Sequence, residues 1–188
     1  MNYLRGFIPW IAFAVIPGWQ WGALTALLIG FFLLVKQHKA GVGMDALILE
    51  TSTVLYFAAL AVLAFSAPFS PLHHFSGALS FAWLALTAWG TLAVRKPFTL
   101  GIARLSTPRE YWNTPQFLRI NVVITTVWAA AFTLTAIAVV ISEAANASTV
   151  VAIVCQVVGF VVPAVFTARY PKIVQARYAA QAQAQATQ

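Results

Sequence analysis

The chain has 188 residues, 61% hydrophobic and only 8% charged, with a formal net charge of +7. A soluble domain averages about 25% charged and about 45–50% apolar residues, so this composition, at a mean hydropathy of +0.83, excludes a soluble enzyme, a disordered tail and a fibrous repeat. It leaves an integral membrane protein of at most about six spans, at about 20 residues per membrane helix.

The first apolar stretch covers residues 6–35 and is broken at Pro17-Gly18. Its short arm, residues 7–16, rises only about 15 Å as a helix, half of the roughly 30 Å hydrocarbon core. Pro17-Gly18-Trp19-Gln20-Trp21 is no small-residue cleavage site, so the arm reads as a retained half-helix or short tilted span. The long arm, residues 19–35, can span. Four further stretches follow at 46–65, 75–94, 120–141 and 149–166. Pro68 and Pro71 close the first of them. Residues 179–188 form a solvated Ala/Gln tail, either disordered or a fraying helical extension. The expected fold is all-α: a polytopic membrane helix bundle of five full transmembrane helices plus a short N-terminal membrane helix. Residues 1–178 make one transmembrane domain, and 179–188 the tail.

The connections at Pro17-Gly18, 66–74 and 142–148 hold no Lys or Arg. Lys36 and Lys39 follow the 19–35 helix; Arg95, Lys96, Arg104, Arg109 and Arg119 lie between the third and fourth long stretches; Arg169, Lys172 and Arg177 follow the last. Ten of the eleven bases thus share one side, and Arg5 makes eleven if the short arm crosses or re-enters. The positive-inside rule makes that side cytoplasmic, C-terminus included. The N-terminus is cytoplasmic on the same condition and outside if residues 3–36 form one kinked helix; Arg5 favours the cytoplasmic placement. The basic balance is a topology signal with attraction to anionic headgroups, not a sign of nucleic acid.

The long basic loop has its own grammar. Pro97 opens a short helix with Phe98, Ile102 and Leu105 on one stripe and Arg104 off it, an interfacial amphipathic helix. Thr107-Pro108-Arg109-Glu110 reads as a capping box. Tyr111 and Trp112 suit headgroup depth, and Thr114-Pro115 caps the helix leading into the 120–141 span. A faint repeat at an offset close to 60 residues pairs Lys36 with Arg95-Lys96, Gly41 with Gly101 and Leu47 with Leu105; coincidence in a biased composition is the alternative.

Few residues could carry chemistry. Glu50 lies about 9 Å inside its helix, where a charge costs up to about 2.5–3.5 kcal/mol and faces the bundle or a cavity. It reads as a proton-coupling or substrate-binding acid, or as a structural acid partnered by Arg119, Arg104 or Asn121 or snorkelling to the cytoplasmic edge. Asn121, Thr125 and Trp128 share a helical face, and Gln156 is near the middle of the last span. These polar groups are either helix-to-helix glue or a substrate pathway; the candidate intramembrane site is Glu50, Thr53, Asn121, Thr125 and Gln156. Lys36, Lys39, Arg95, Lys96, Arg104, Arg109, Trp112 and Arg119 form the basic and aromatic interface set. Cys155, the one cysteine, excludes an internal disulfide and reads as a small buried hydrophobe. His38 is on the opposite side from His73 and His74, so they share no metal. There is no P-loop, H-E-x-x-H or G-x-S-x-G, and Asp45 and Glu50 are about 140° apart around a helix. No enzyme, metal or cofactor is expected.

Five motifs occur in order: Phe7-Ile8-Pro9-Trp10, residues 21–27, the basic-to-apolar run 36–49, Arg95-Lys96-Pro97-Phe98, and Trp112 with Leu118, Asn121 and Trp128. Together, over roughly residues 5–170, they resemble the intracellular septation protein A (YciB-type) family of small bacterial inner-membrane proteins. The longer basic loop and the Ala/Gln tail depart from that pattern. The resemblance implies five full spans and a role in envelope maintenance and septation through contacts with division and elongation proteins. It carries over no catalytic residue. The residues alone leave two alternatives. One is a small transporter or lipid-handling protein, as a homo-oligomer, with its polar site around Glu50. The other is an accessory subunit of a larger membrane complex.

Overall fold

The computed structural model describes residues 3–186, and among them every regular element is helical. A 3₁₀ turn, Tyr3–Phe7, leads into α1 (Ile8–Val15). Gly18, at φ 80°, then reverses the chain, in a backbone region where only glycine escapes a Cβ penalty. α2 (Trp19–Lys39) runs back beside α1: Gly22 faces Phe13, and Gly30 faces Pro9. The kinked-helix alternative for residues 3–36 is therefore overturned. The short arm is one limb of a helical hairpin.

A 3₁₀ turn, Met44–Ala46, connects α2 to α3 (Ile48–Ser66). The buried face of α2 is Gly22, Ala23, Ala26 and Gly30. Small residues at this spacing let helices approach closely, so packing and polar bonds hold them where lipid removes any hydrophobic preference for the inside. α4 (Ser76–Ala93) bends by 78° into the short α5 (Phe98–Arg104). α6 (Pro115–Ala144) and α7 (Thr149–Ala186) complete the chain. α6 is the central staff, with α4 and α7 packed along it. Its buried residues Asn121, Thr125, Trp128, Phe132, Thr135, Val139 and Ser142 alternate steps of four and three, the seam of near-parallel helix packing. Phe7 stacks on Trp128 at 5.0 Å and meets Phe160 edge-on at 4.5 Å, so the N-terminal turn is wedged against α6 and α7.

α2, α3, α6 and α7 are long and apolar enough to cross a membrane, and α4 with α5, taken as one bent span, makes a fifth. Outward faces carry Phe31, Leu55, Val62, Leu86, Leu134, Val158 and Val161 exposed, which suits hydrocarbon rather than water. The bases gather at one end of the bundle. Arg104 bridges to Asp45 at 2.8 Å, joining the two basic loops, while Gly6 lies against Leu49 and Glu50 and brings Arg5 to the same end.

Three helices close with one motif. The N–H groups of Val42, Lys96 and Ala147 bond back to the carbonyls of Gln37, Thr91 and Ser142 at 3.1, 2.9 and 2.9 Å. The left-handed residues of these caps are Gly41, Arg95 and Asn146, at φ 79°, 57° and 48°. Glycine and asparagine are the usual occupants of this Schellman position.

Some local expectations are met and others corrected. Thr114 caps α6, its hydroxyl accepting from the N–H of Phe117 at 3.3 Å, with Pro115 in the first turn. The capping box at Thr107 does not form. Arg109–Tyr111 is a single 3₁₀ turn without a side-chain cap, and the Thr107 carbonyl instead accepts the indole N–H of Trp112 at 2.8 Å. On α5, Phe98 is buried, Ile102 half-buried and Leu105 exposed. Gly41 turns the chain whereas Gly101 is a packing site in mid-helix, so the faint repeat does not extend to its glycines. α7 passes through Pro163 and Pro171 and carries the Ala/Gln tail as helix to Ala186; residues 187–188 lie outside the described residues.

Candidate functional site

The bend after α4 lays α5 across the first turns of α6, opposite the middle of α7. Between them is a cavity of about 680 Å³, within the usual range of about 300–1,000 Å³ for small-molecule sites. Its buried floor is Phe7, Phe98, Ile124 and Trp128. Its rim carries Thr107, Tyr111, Thr114, Gln116 and Gln175. Among the described residues, no charged side chain lines it.

The polar groups inside are held firmly. Thr99 donates to the Asn121 carbonyl at 3.1 Å, and its hydroxyl is 2.8 Å from that of Thr125. A hydroxyl has one hydrogen to give, so Thr125 donates the second bond. The Asn121 side chain donates to the Phe117 carbonyl at 2.9 Å. Trp128 donates its indole N–H to Thr167 at 2.9 Å, and Thr167 donates to the Pro163 carbonyl at 2.7 Å. Pro171 has no N–H, so the Thr167 carbonyl has no helical donor. Thr167 and Pro171 both line the cavity, and this leaves a backbone acceptor at its wall.

The five candidate polar residues fall into three places. Asn121 lines the cavity, with Thr125 held behind it through Thr99. Glu50 and Thr53 belong to the interface of the N-terminal hairpin with α3. Gln37 donates to Glu50 Oε1 at 3.1 Å, and Trp10 donates to the Thr53 hydroxyl at 3.0 Å. Thr53 in turn donates to the Leu49 carbonyl at 2.8 Å. Gln156, half-buried, lies beside Gly77 of α4. The expected partners of Glu50 are corrected. Arg104 is engaged by Asp45, Asn121 turns to its own helix, and Arg119 is exposed. Glu50 is only 6% exposed, and its Oε2 is buried without a hydrogen-bond partner.

In the interface set, Trp112 lies under two guanidinium groups, 5.4 Å from Arg104 and 5.7 Å from Arg109. Lys36 is 5.9 Å from the ring of Phe32. Lys36, Lys39, Arg95, Lys96, Arg109 and Arg119 are exposed. Sequence reasoning missed Phe7, Thr99, Thr167, Pro171 and Gln175 as cavity residues. The two prolines of α7, eight residues apart, one inside the last apolar run and one just after it, were the available signal.

No family model, no curated protein and no solved structure matches the chain, so the resemblance to the septation family rests on its short motifs.

Proposed function

We propose that the chain is a membrane-embedded binding protein for a small amphiphile with an uncharged polar head. The reading places five spans in a bacterial inner membrane, with the basic end cytoplasmic and α5 at the interface. One observation carries it: an uncharged cavity of about 680 Å³, aromatic at its floor and lined with hydroxyl and amide groups at its rim, opens at the basic end. An apolar group would pack on Phe7, Ile124 and Trp128, held there by van der Waals contact as helices are in lipid. Asn121, the Thr167 carbonyl and the rim hydroxyls supply donors and acceptors that fix orientation. This is the lipid-handling alternative, with its centre moved from Glu50 to Asn121.

The test is to purify the protein in mild detergent, extract it, and compare the extract with total membrane lipid by mass spectrometry. An uncharged amphiphile enriched with wild type and lost from Ile120→Trp, which fills the cavity from its half-buried wall, is the expected result. An extract no different from bulk lipid overturns the reading.

A further inference from the structure

α5 separates two different spaces. Phe98, Thr99, Ile102 and Ala103 line the uncharged cavity; Leu100, Gly101 and Arg104 line a second one, of about 270 Å³, together with Asp45, Arg95, Lys96 and Pro97. This notch is cationic. It holds three bases and one acid, and among the described residues the only ion pair is Arg104 with Asp45. Arg95 and Lys96 therefore have no carboxylate partner there.

The backbone makes the notch unusual. Arg95 occupies the left-handed cap position that α2 fills with Gly41 and α6 with Asn146. An L-residue with a long side chain is strained there. The left-handed turn caps α4, but the cap does not need an arginine side chain. The carbonyls of Gly90, Thr91 and Leu92 already accept from the backbone N–H groups of Val94, Lys96 and Arg95. Glycine would make the same bonds without strain, so the guanidinium itself is what the position supplies. An observed backbone outlier of this kind points to a function. Arg104 is equally prepared. One nitrogen holds Asp45, the face lies over Trp112, and Nε is buried without a partner. Gly101 abuts the backbone of Asp45 and Ala46, which makes the wall rigid.

We infer that this notch binds the phosphate of an anionic headgroup, with Arg95, Lys96 and Arg104 as its donors. Two guanidinium groups and an ammonium suit a phosphate oxygen cluster. The phosphate can belong to a lipid, which the basic end would meet at an anionic leaflet, or to a soluble phosphate ester. The inference is independent of the amphiphile reading, since it uses the opposite face of α5.

The test is native mass spectrometry with thermal melting of the purified full chain. The probes are phosphatidylglycerol, phosphatidylcholine and inorganic phosphate. Retained phosphatidylglycerol is expected, falling about tenfold in Arg95→Gly, the loss of a charged hydrogen bond. Arg95→Gly relieves the strained cap, so its melting temperature is expected to hold or rise, and misfolding would not explain the loss. Asp45→Asn, which removes the competing carboxylate, is expected to tighten retention. Arg169→Gln, an exposed base of α7 outside the notch, is expected to leave it unchanged. Protection by inorganic phosphate alone, lost in Arg95→Gly, supports the same site with a soluble source. Equal retention of both lipids, or equal loss in Arg95→Gly and Arg169→Gln, means diffuse surface charge and overturns the inference.

Discussion

Gln37 donates its side-chain N–H to Glu50 at 3.1 Å across the α2–α3 hairpin, and it is the only side-chain partner of that carboxyl group among the described residues. The second carboxyl oxygen is buried without a partner. An acid so placed depends on its one side-chain bond.

Gln37→Leu is expected to cost about 1–3 kcal/mol, the penalty for leaving a buried polar group unsatisfied. Glu50→Gln keeps an acceptor for Gln37 and removes the charge, so it is expected to melt at or above wild type. Thermal melts in detergent read both; a Gln37→Leu protein as stable as wild type would show that the bond carries nothing.

Two glycines differ in what surrounds them. A Cβ at Gly101 would meet the backbone of Asp45 and Ala46, whereas one at Gly90 has open space. Gly101→Ala is expected to destabilise by about 1–3 kcal/mol through overpacking, while Gly90→Ala stabilises by roughly 0.5–1 kcal/mol through helix propensity. The sign difference between the two melting shifts is the check.

At the cavity wall, Pro171→Ala restores an N–H that can bond the Thr167 carbonyl. It is expected to gain about 1 kcal/mol of stability and to lower retention of the copurified amphiphile, because the acceptor is then occupied. Trp128→Phe, which removes the indole bond to Thr167, is expected to lose about 1 kcal/mol. If Pro171→Ala retains the amphiphile fully, the Thr167 carbonyl plays no part in holding it.

The caps give a paired prediction. Arg95→Gly is expected to gain about 1 kcal/mol by relieving a left-handed L-residue, and Gly41→Ala to lose about 1 kcal/mol by creating one. Chemical denaturation of both variants would expose an error, since equal shifts of one sign contradict the cap geometry.

Much of the local structure is legible in residues that act on their neighbours. Pro17-Gly18 marks the first break and Thr114-Pro115 the start of α6, because caps and breakers work within one turn. The Thr107 box fails locally: the turn that follows is a single 3₁₀ turn of three residues, and the Trp112 indole, five residues on, bonds the Thr107 carbonyl. Glu50 was conspicuous as an acid in an apolar run, but its partner was not. Gln37 faces it only because the hairpin places the end of α2 beside the start of α3.

Composition and order of residues by themselves determined the class, the positions of the long apolar helices and the clustering of bases, since these depend on local hydropathy and on which connections hold Lys or Arg. The tertiary structure alone decided the fold-back of the short arm, the separation of Glu50 from Asn121, and the two spaces on either side of α5. The physical reason lies in the sameness of the surfaces. Outer faces carry Leu134 and Val158 as inner ones carry Leu60 and Phe57, so apolar periodicity does not distinguish inside from outside. Small residues such as Gly22, Gly30 and Gly101, and a few polar bonds, choose which faces meet, and that choice exists only once the helices are packed.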